Sequence, residues 1–322
     1  MAFTSGTIAG STAAANHYAL LDAIHTFCTT ALGAYNWTDI KYETQVGSSP
    51  DTPYNRKEWM FIAPGMSGDE QIFGGIRTRT AGAYGNFEIA GYFGNYGASP
   101  SWNTDFEVQP FSRFEHVTLW NDQMDYWLMA NGERLLCVVR AGTAWTMFYI
   151  GLFRPYSSPT LEEYAYPFFL GGTNDSFSAQ ISDLLGHRHF AAPVQNACSL
   201  WLPSAKWIDV YNRNTIADGY AAGAGYITPT SSGLHGASNS VQPDSRANSD
   251  GTFNLVALEL VTTDSLPSVL GKLDGVNWVS GLDQNGAVVS PGTIISISGQ
   301  NYLLIPNISR TAWYDWAAVR LS

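Results

Sequence analysis

Two pairs of neighbouring carboxylates are the first candidates for acid and base chemistry in this sequence of 322 residues. Asp105 and Glu107 alternate in a strand-like stretch, and Glu162 and Glu163 are adjacent in a segment rich in proline and tyrosine. Glycosidases place two carboxylates about 5 to 10 Å apart across the sugar bond. Sequence spacing does not reveal that separation, and surface charge is the commoner role for such pairs. We therefore assign no catalytic residue.

Histidines are the next candidates, because His187 and His189 lie two positions apart in GHRHF. That spacing places two imidazoles on one side of an extended segment, as a metal site requires. A third ligand at useful spacing is missing, since His116 and His235 are remote. The sequence also lacks the motifs of a nucleophile elbow, a phosphate-binding loop, a dinucleotide-binding turn and a zinc protease. We predict no metal site and no cofactor.

Tryptophan side chains are candidates for carbohydrate binding, because sugar rings stack on exposed indoles. The 11 tryptophans are Trp37, Trp59, Trp102, Trp120, Trp127, Trp145, Trp201, Trp207, Trp278, Trp313 and Trp316. On strands, such side chains more often fill a core or anchor a protein interface. We therefore favour core and interface roles over sugar binding.

Charge and composition restrict the partners of the chain. The formal net charge is −11 and Lys and Arg do not cluster, which argues against nucleic acid and anionic membranes as partners. The N-terminus lacks the basic and apolar regions of a secretion signal, and no apolar run is long enough for a spanning helix. We expect synthesis in a cytoplasm and no membrane insertion. Cys28, Cys137 and Cys198 have no metal-finger spacing, and Cys137 is typical of a buried small apolar residue.

A helix over residues 11–32 is predicted from apolar residues that recur every three or four positions. The apolar stripe consists of Leu20, Leu21, Ile24, Phe27, Cys28 and Leu32. Gly33 is a plausible stop. His17, Asp22 and His25 fall off the stripe and predict a solvated face.

Short-period patterns predict strands in most of the remaining chain. The strand-like stretches are EWMFIAPG, EQIFGGIRTRT, NFEIAGYF, DFEVQPF and RFEHVTLW. Arg77 and Arg79 alternate with threonines and should leave the same face of one strand, and Arg113 and Glu115 should share a face of another.

The densest apolar stretch lies between residues 126 and 153 and predicts a three-stranded antiparallel meander. Asn131-Gly132 indicates a hairpin, because both residues tolerate the positive φ of a primed turn. The strands would span 126–130, 134–140 and 145–153. Each is too short to cross a bilayer as a helix.

The C-terminal part of the chain is predicted to hold further hairpins. SLWLPSAKWIDVY should turn near Ser204, and IISISGQNYLLIPNI should turn at Gly299-Gln300. FNLVALELV and GVNWVSGL are strand-like, and YDWAAVRL predicts a final edge or closing strand.

The whole pattern predicts a mainly β fold with an N-terminal helix, an antiparallel meander or sandwich-like assembly, and a smaller C-terminal β unit. We divide the chain into an N-terminal arm and helix (1–35), a main β domain (36–227), a polar loop rich in glycine and serine (228–252), and a C-terminal β unit packed on the main domain (253–322).

Several stretches together resemble virion structural proteins of tailed bacteriophages that are associated with the tail baseplate or tip. These are DEQIFGGIRT, the stretch from Leu119 to Gly172, WLPSAKW, LGKLDGVNWVSGL and IISISGQNYLLIPNISRTAWYDWAAVRL. The likeness covers roughly half of the chain, and residues 34–56 and the polar loop depart from it.

The resemblance implies a non-enzymatic tail component in the virion, with copies of itself and other tail or baseplate proteins as partners. The alternative is a tail-tip protein that binds or depolymerises a host surface glycan, using tryptophans and the Asp105/Glu107 pair.

Overall fold

The structure, a computed structural model, has one α-helix and nineteen strands among the residues that it describes. It describes residues 1–10, 13–45, 56–68, 70–81, 84–93, 109–120, 122–160, 163, 165–173, 190, 198–211, 225–228, 247–264, 268–307 and 316–321. The helix is α1 (Ala13–Thr30), followed by a 3-10 turn (Gly33–Tyr35). The strands in the first half are β1 (Ala2–Ile8), β2 (Thr38–Gln45), β3 (Arg56–Ala63), β4 (Ile72–Ala81), β5 (Tyr84–Gly91), β6 (Arg113–Leu119), β7 (Met124–Ala130), β8 (Arg134–Ala141), β9 (Ala144–Leu152) and β10 (Arg154–Pro155). Those in the second half are β11 (Phe168–Gly171), β12 (Cys198–Trp201), β13 (Trp207–Tyr211), β14 (Gly225–Thr228), β15 (Val256–Thr262), β16 (Ser268–Val279), β17 (Ile294–Ile297), β18 (Gln300–Pro306) and β19 (Trp316–Arg320).

The strands form two sheets. The smaller sheet is five-stranded, in the order β2-β3-β4-β5-β6. The larger is 14-stranded, in the order β1-β7-β8-β9-β11-β12-β13-β14-β15-β16-β19-β18-β17, with β10 paired to β16. Among the described pairs, β13 and β14 are parallel and the others are antiparallel. The mainly β class with one N-terminal helix is confirmed.

The core lies between the two sheets. Phe87 of β5 meets Phe148 of β9 with ring centroids 6.1 Å apart, and Phe93 meets Phe168 of β11 at 5.1 Å. Aromatic rings of this size bury much apolar surface, which is the main stabilising term of a sandwich. The five-stranded sheet therefore covers the middle of the large sheet.

The helix is confirmed, but its solvated face is not. Leu20, Leu21 and Ile24 are fully buried, as the stripe predicts, and Gly33 has a φ of 65° just beyond the helix. His17 is also buried, and the His25 ring stacks on Tyr42 of β2 at 3.7 Å. Asp22, on the same helix, accepts hydrogen bonds from Tyr42 and from Lys57 of β3. The prediction of a solvated face is wrong for His17 and His25, because the five-stranded sheet packs against them, whereas the Asp22 side chain remains 48% exposed.

The predicted meander is confirmed as β7, β8 and β9. The predicted turn conformation is wrong, because neither Asn131 nor Gly132 has a positive φ. The Asn131 side chain instead accepts hydrogen bonds from the backbone N–H groups of Glu133 (2.8 Å) and Arg134 (3.0 Å). Gly132 has a different use: its carbonyl accepts a 2.7 Å hydrogen bond from the N–H of Gly65.

The chain ends differ from the predicted pattern in two places. Residues 2–8, expected in an arm, form β1 and pair with β7 along their whole length. The last strand, β19, lies between β16 and β18, so an edge position is wrong. The β17–β18 hairpin is confirmed, but its positive φ angles fall at Ser298 and Gly299, one residue earlier than predicted.

The contact between Gly132 and Gly65 yields a stability prediction. A Cβ at position 132 would lie 1.9 Å from the Gly65 carbonyl oxygen, so Gly132→Ala must separate the two loops and break their hydrogen bond. We expect a loss of about 2 kcal/mol or more in the free energy of unfolding, measured by urea denaturation.

Gly299→Ala is the matched control, because Gly299 has a φ of 79° and open space around it. It should cost about 1 to 2 kcal/mol from backbone strain alone. Equal or smaller destabilisation by Gly132→Ala would contradict a role for the close approach.

Candidate functional site

Most of the candidate residues for catalysis or metal binding lie outside the described residues, namely Asp105, Glu107, Glu162, His187 and His189. Glu163 is described, and its carboxylate accepts a 2.8 Å hydrogen bond from the N–H of Thr160. It therefore caps its own turn. Within the described ranges no group of three or more His, Cys, Asp or Glu side chains is arranged to hold a metal ion.

Nine of the tryptophans are described, and none of these nine is exposed. The buried ones are Trp37, Trp59, Trp145, Trp201, Trp278 and Trp316. The half-buried ones are Trp120, Trp127 and Trp207. For the described tryptophans the preference for core positions over open sugar platforms is confirmed. Cys28, Cys137 and Cys198 are buried free thiols.

A row of charged side chains crosses the five-stranded sheet. Strand register places Glu58 beside Arg77, Arg77 beside Glu88, and Glu88 beside His116. All four are buried, Arg77 forms an ion pair with Glu88, and His116 Nδ1 lies 3.6 Å from a Glu88 oxygen. Lys41 adds a 3.0 Å pair to Glu58. Arg77, which was predicted to lie on a strand, thus forms an ion pair within the chain.

A second polar cluster lies between the sheets and consists of Arg113, Glu115, Ser199 and Asp209. Arg113 and Glu115 share one face of β6, the last strand of the five-stranded sheet, as the alternation predicts. Ser199 of β12 and Asp209 of β13 are direct partners in the large sheet. The Arg113 Nε donates to Ser199 Oγ at 2.8 Å, and the guanidinium pairs with Asp209.

Glu115 is the chemically unusual member of this cluster. Burial raises the pKa of its carboxyl to about 8, against the lowering effect of Arg113 and of the hydrogen bond donated by Ser199. Glu115 therefore holds a proton at neutral pH. A protonated carboxyl close to a second carboxyl group, here that of Asp209, is an arrangement found in general acids. Glu115 and Ser199 are nevertheless closed off, at 2% and 0% exposure, so the proton faces no substrate surface.

A third cluster surrounds the Asp274 carboxylate. Arg134 donates to it at 2.8 and 3.0 Å, Arg320 at 3.2 Å, and Arg154 lies 3.6 Å away. Arg154 also pairs with Glu133 at 2.9 Å. Burial alone would raise the pKa of Asp274, but the guanidinium groups outweigh it and hold that pKa below its usual range. Asp274 thus stays ionised and joins β8, β10 and β19.

The chain has no match among protein-family models, and no curated protein matches it as a relative. Among the described residues no helix is long and apolar enough to span a membrane.

Sequence reasoning missed most of the cluster between the sheets and most of the Asp274 cluster within the large sheet. Alternation marked Arg113 and Glu115 as neighbours, but Ser199, Asp209 and Asp274 lie in ordinary strand sequences. Their side-chain partners are 46 to 140 positions away, so no local pattern identifies them.

The proton on Glu115 predicts a pH dependence of stability. The folded-state pKa is raised from the ordinary value of 4.5 to about 8, so the folded state binds more protons at Glu115 than the unfolded state between these values. The contribution of Glu115 to the free energy of unfolding is therefore complete below that window and falls as pH rises through it, by up to about 1.4 kcal/mol per pH unit.

Glu115→Gln should flatten this dependence between pH 5 and about 8, because the amide cannot ionise. Urea denaturation of the wild type and the variant at several pH values measures it. Glu259→Gln, a half-buried carboxylate that hydrogen-bonds Tyr156, is the control and should leave the slope in place. An unchanged slope in Glu115→Gln would contradict the assignment.

The Asp274 cluster predicts an unequal cost for two similar substitutions. Arg134 is only 1% exposed, so Asp274→Asn leaves a buried guanidinium without its charged partner. We expect a loss of about 3 to 5 kcal/mol in the free energy of unfolding. Asp125→Asn removes the partner of the more exposed Arg140 and should cost less than about 1 kcal/mol. If urea denaturation gives the same loss in the free energy of unfolding for both variants, this role of Asp274 is contradicted.

Proposed function

We propose that this protein is a non-enzymatic structural component of a bacteriophage tail, located in the virion at the baseplate or tail tip. It assembles through repeated contacts with copies of itself and with other tail proteins. The resemblance of several stretches to such proteins supports this proposal, and its most specific stretch, residues 119–172, supplies the meander at the centre of the fold.

The main observation that supports the proposal concerns the two edge strands of the large sheet, β1 and β17. Among the described strands, β1 pairs only with β7 and β17 pairs only with β18. Residues 2–10 and 292–299, which contain these strands, have no charged side chain and no proline. Both edges also expose apolar side chains, with Phe3 at 40% and Ile294 at 56%.

Such edges are suited to pairing with another chain. An edge strand presents a row of unpaired N–H and C=O groups, and proteins that remain monomeric usually protect it with charge, proline or a bulge. Because β1 and β17 are at opposite ends of one sheet, contact between them joins different surfaces of two copies. A contact of this head-to-tail type builds rings or helical arrays, which is the geometry of a tail.

The polar clusters support a structural role in a different way. Described charged groups in the core such as Arg77 and Arg134 form ion pairs between strands, and Glu115 is closed to solvent. Groups held in this manner stiffen a subunit and leave little capacity for turnover.

The test is the presence and behaviour of the protein in particles. Mass spectrometry and electron microscopy of purified virions should find it in the tail. The double variant Phe3→Lys and Ile294→Lys should fold normally but assemble into particles poorly, since lysine at an edge strand opposes pairing. Val269→Lys, at another exposed apolar position (47%), is the control and should assemble normally.

Two outcomes would contradict the proposal. The first is absence of the protein from purified virions. The second is cleavage of a host polysaccharide by the isolated protein that is lost in Asp105→Asn or Glu107→Gln, which would establish the depolymerase alternative.

A further inference from the structure

Phe111 has a strained backbone conformation and a solvent-exposed aromatic side chain. Its φ is 52°, in the left-handed region that bulky residues rarely adopt, and its side chain is the most exposed of the large apolar ones described, at 62%. Phe111 therefore combines backbone strain with an apolar side chain that is mostly exposed. Such outliers often mark a place where a ligand is held.

A hydrogen bond and aromatic contacts hold Phe111 in this strained conformation. The indole N–H of Trp207 donates a 2.7 Å hydrogen bond to the carbonyl oxygen of Phe111. Trp207 is half-buried and stacks on Phe93 at 5.3 Å, and the Phe111 ring lies 5.8 Å from that of Trp201. The Phe111 ring thus contacts the buried Trp201, and the hydrogen bond from Trp207 fixes the Phe111 backbone. We call Phe111 and Trp207 the aromatic shelf.

A partly exposed ion pair lies close to this shelf in the chain. Arg113 follows Phe111 by two residues, and Asp209 follows Trp207 by two on the same face of β13. Their side chains are 36% and 34% exposed. Arg113 uses Nε toward Ser199 and Glu115 and one terminal nitrogen toward Asp209, so its other terminal nitrogen makes no hydrogen bond to a described residue. The second Asp209 oxygen is equally unused among the described residues.

We propose that the aromatic shelf with Arg113 and Asp209 is a binding site for a neutral pyranose unit of a glycan. The apolar face of the sugar ring would lie on the exposed Phe111 ring, beside the half-buried Trp207. The unused Arg113 nitrogen donates to one hydroxyl, and the unused Asp209 oxygen accepts from another. Ser199 and Glu115 hold Arg113 in position from behind.

Other ligand classes fit these groups less well. A phosphate or sulfate would meet the Asp209 carboxylate and a chain of net charge −11. A purely apolar peptide would take water from the ion pair without replacing its hydrogen bonds. A neutral sugar offers an apolar face and a ring of hydroxyls at once, so it matches both halves of the surface. Because Glu115 is buried, the site presents one partly exposed carboxylate, Asp209, and not the pair that glycosidases use.

The test uses the isolated full-length protein and three neutral probes, maltohexaose, cellohexaose and chitohexaose. Saturation-transfer NMR should show transfer to ring protons of at least one of them, and titration should give its affinity. Phe111→Ala should weaken that affinity about tenfold, the loss of one aromatic contact worth roughly 1.4 kcal/mol. Arg113→Lys should weaken it as well while keeping the charge opposite Asp209.

Phe3→Ala is the matched control, because it removes an exposed phenylalanine from β1, away from the shelf, and should leave the affinity unchanged. Circular dichroism verifies that each variant is folded. The proposal is overturned if none of the three probes binds at about 10 mM, a concentration that would detect affinities typical of single aromatic contacts. It is also overturned if Phe111→Ala binds as well as the wild type. Neither result bears on particle assembly, and absence from virions would leave this binding assay intact.

Discussion

The carboxylate of Asp274 is the point on which the large sheet depends, because it balances guanidinium groups from three separate parts of the chain. Arg134 starts the second strand of the meander, Arg154 follows its third strand, and Arg320 lies in the last strand. A cation as buried as Arg134 is tolerated only with a partner this close. Gly275 provides the room, since a Cβ there would lie 2.9 Å from an Arg134 nitrogen. The meander and the C-terminal strands are therefore held as one body by charge as well as by backbone hydrogen bonds.

The remaining polar clusters serve the same purpose at other joints. Glu115 and Ser199 link the last strand of the small sheet to the large one, and Asp22 links the helix to β2 and β3. Polar groups in such places fix which surfaces meet, whereas apolar packing alone is tolerant of sliding. A subunit that must present constant surfaces to its neighbours benefits from this arrangement. The same rigidity lets the strained Phe111 remain exposed.

The sequence predicted those parts of the fold that depend on local periodicity. The helix, the meander and the hairpin near Ser204 follow from patterns within a few residues. Features that depend on distant partners were not predictable in this way. Gly132 suggested a special φ, but a loop 67 positions earlier in the chain, at Gly65, decides its role. His17 suggested a solvated face, but the packing of the five-stranded sheet buries it.

The strands at the two ends of the large sheet, β1 and β17, bear on the number of subunits in an assembly that is joined through them. Neither edge strand carries a charged side chain or a proline that would oppose pairing with a further copy. Each step along a twisted sheet turns the next strand by roughly 20 to 25°. The angle between β1 and β17 is thus inherited from the twist of every strand in between. In an assembly joined at these edges, the angle between β1 and β17 would determine how many subunits close a ring. The twist of the whole sheet, and no single contact, would therefore set that number.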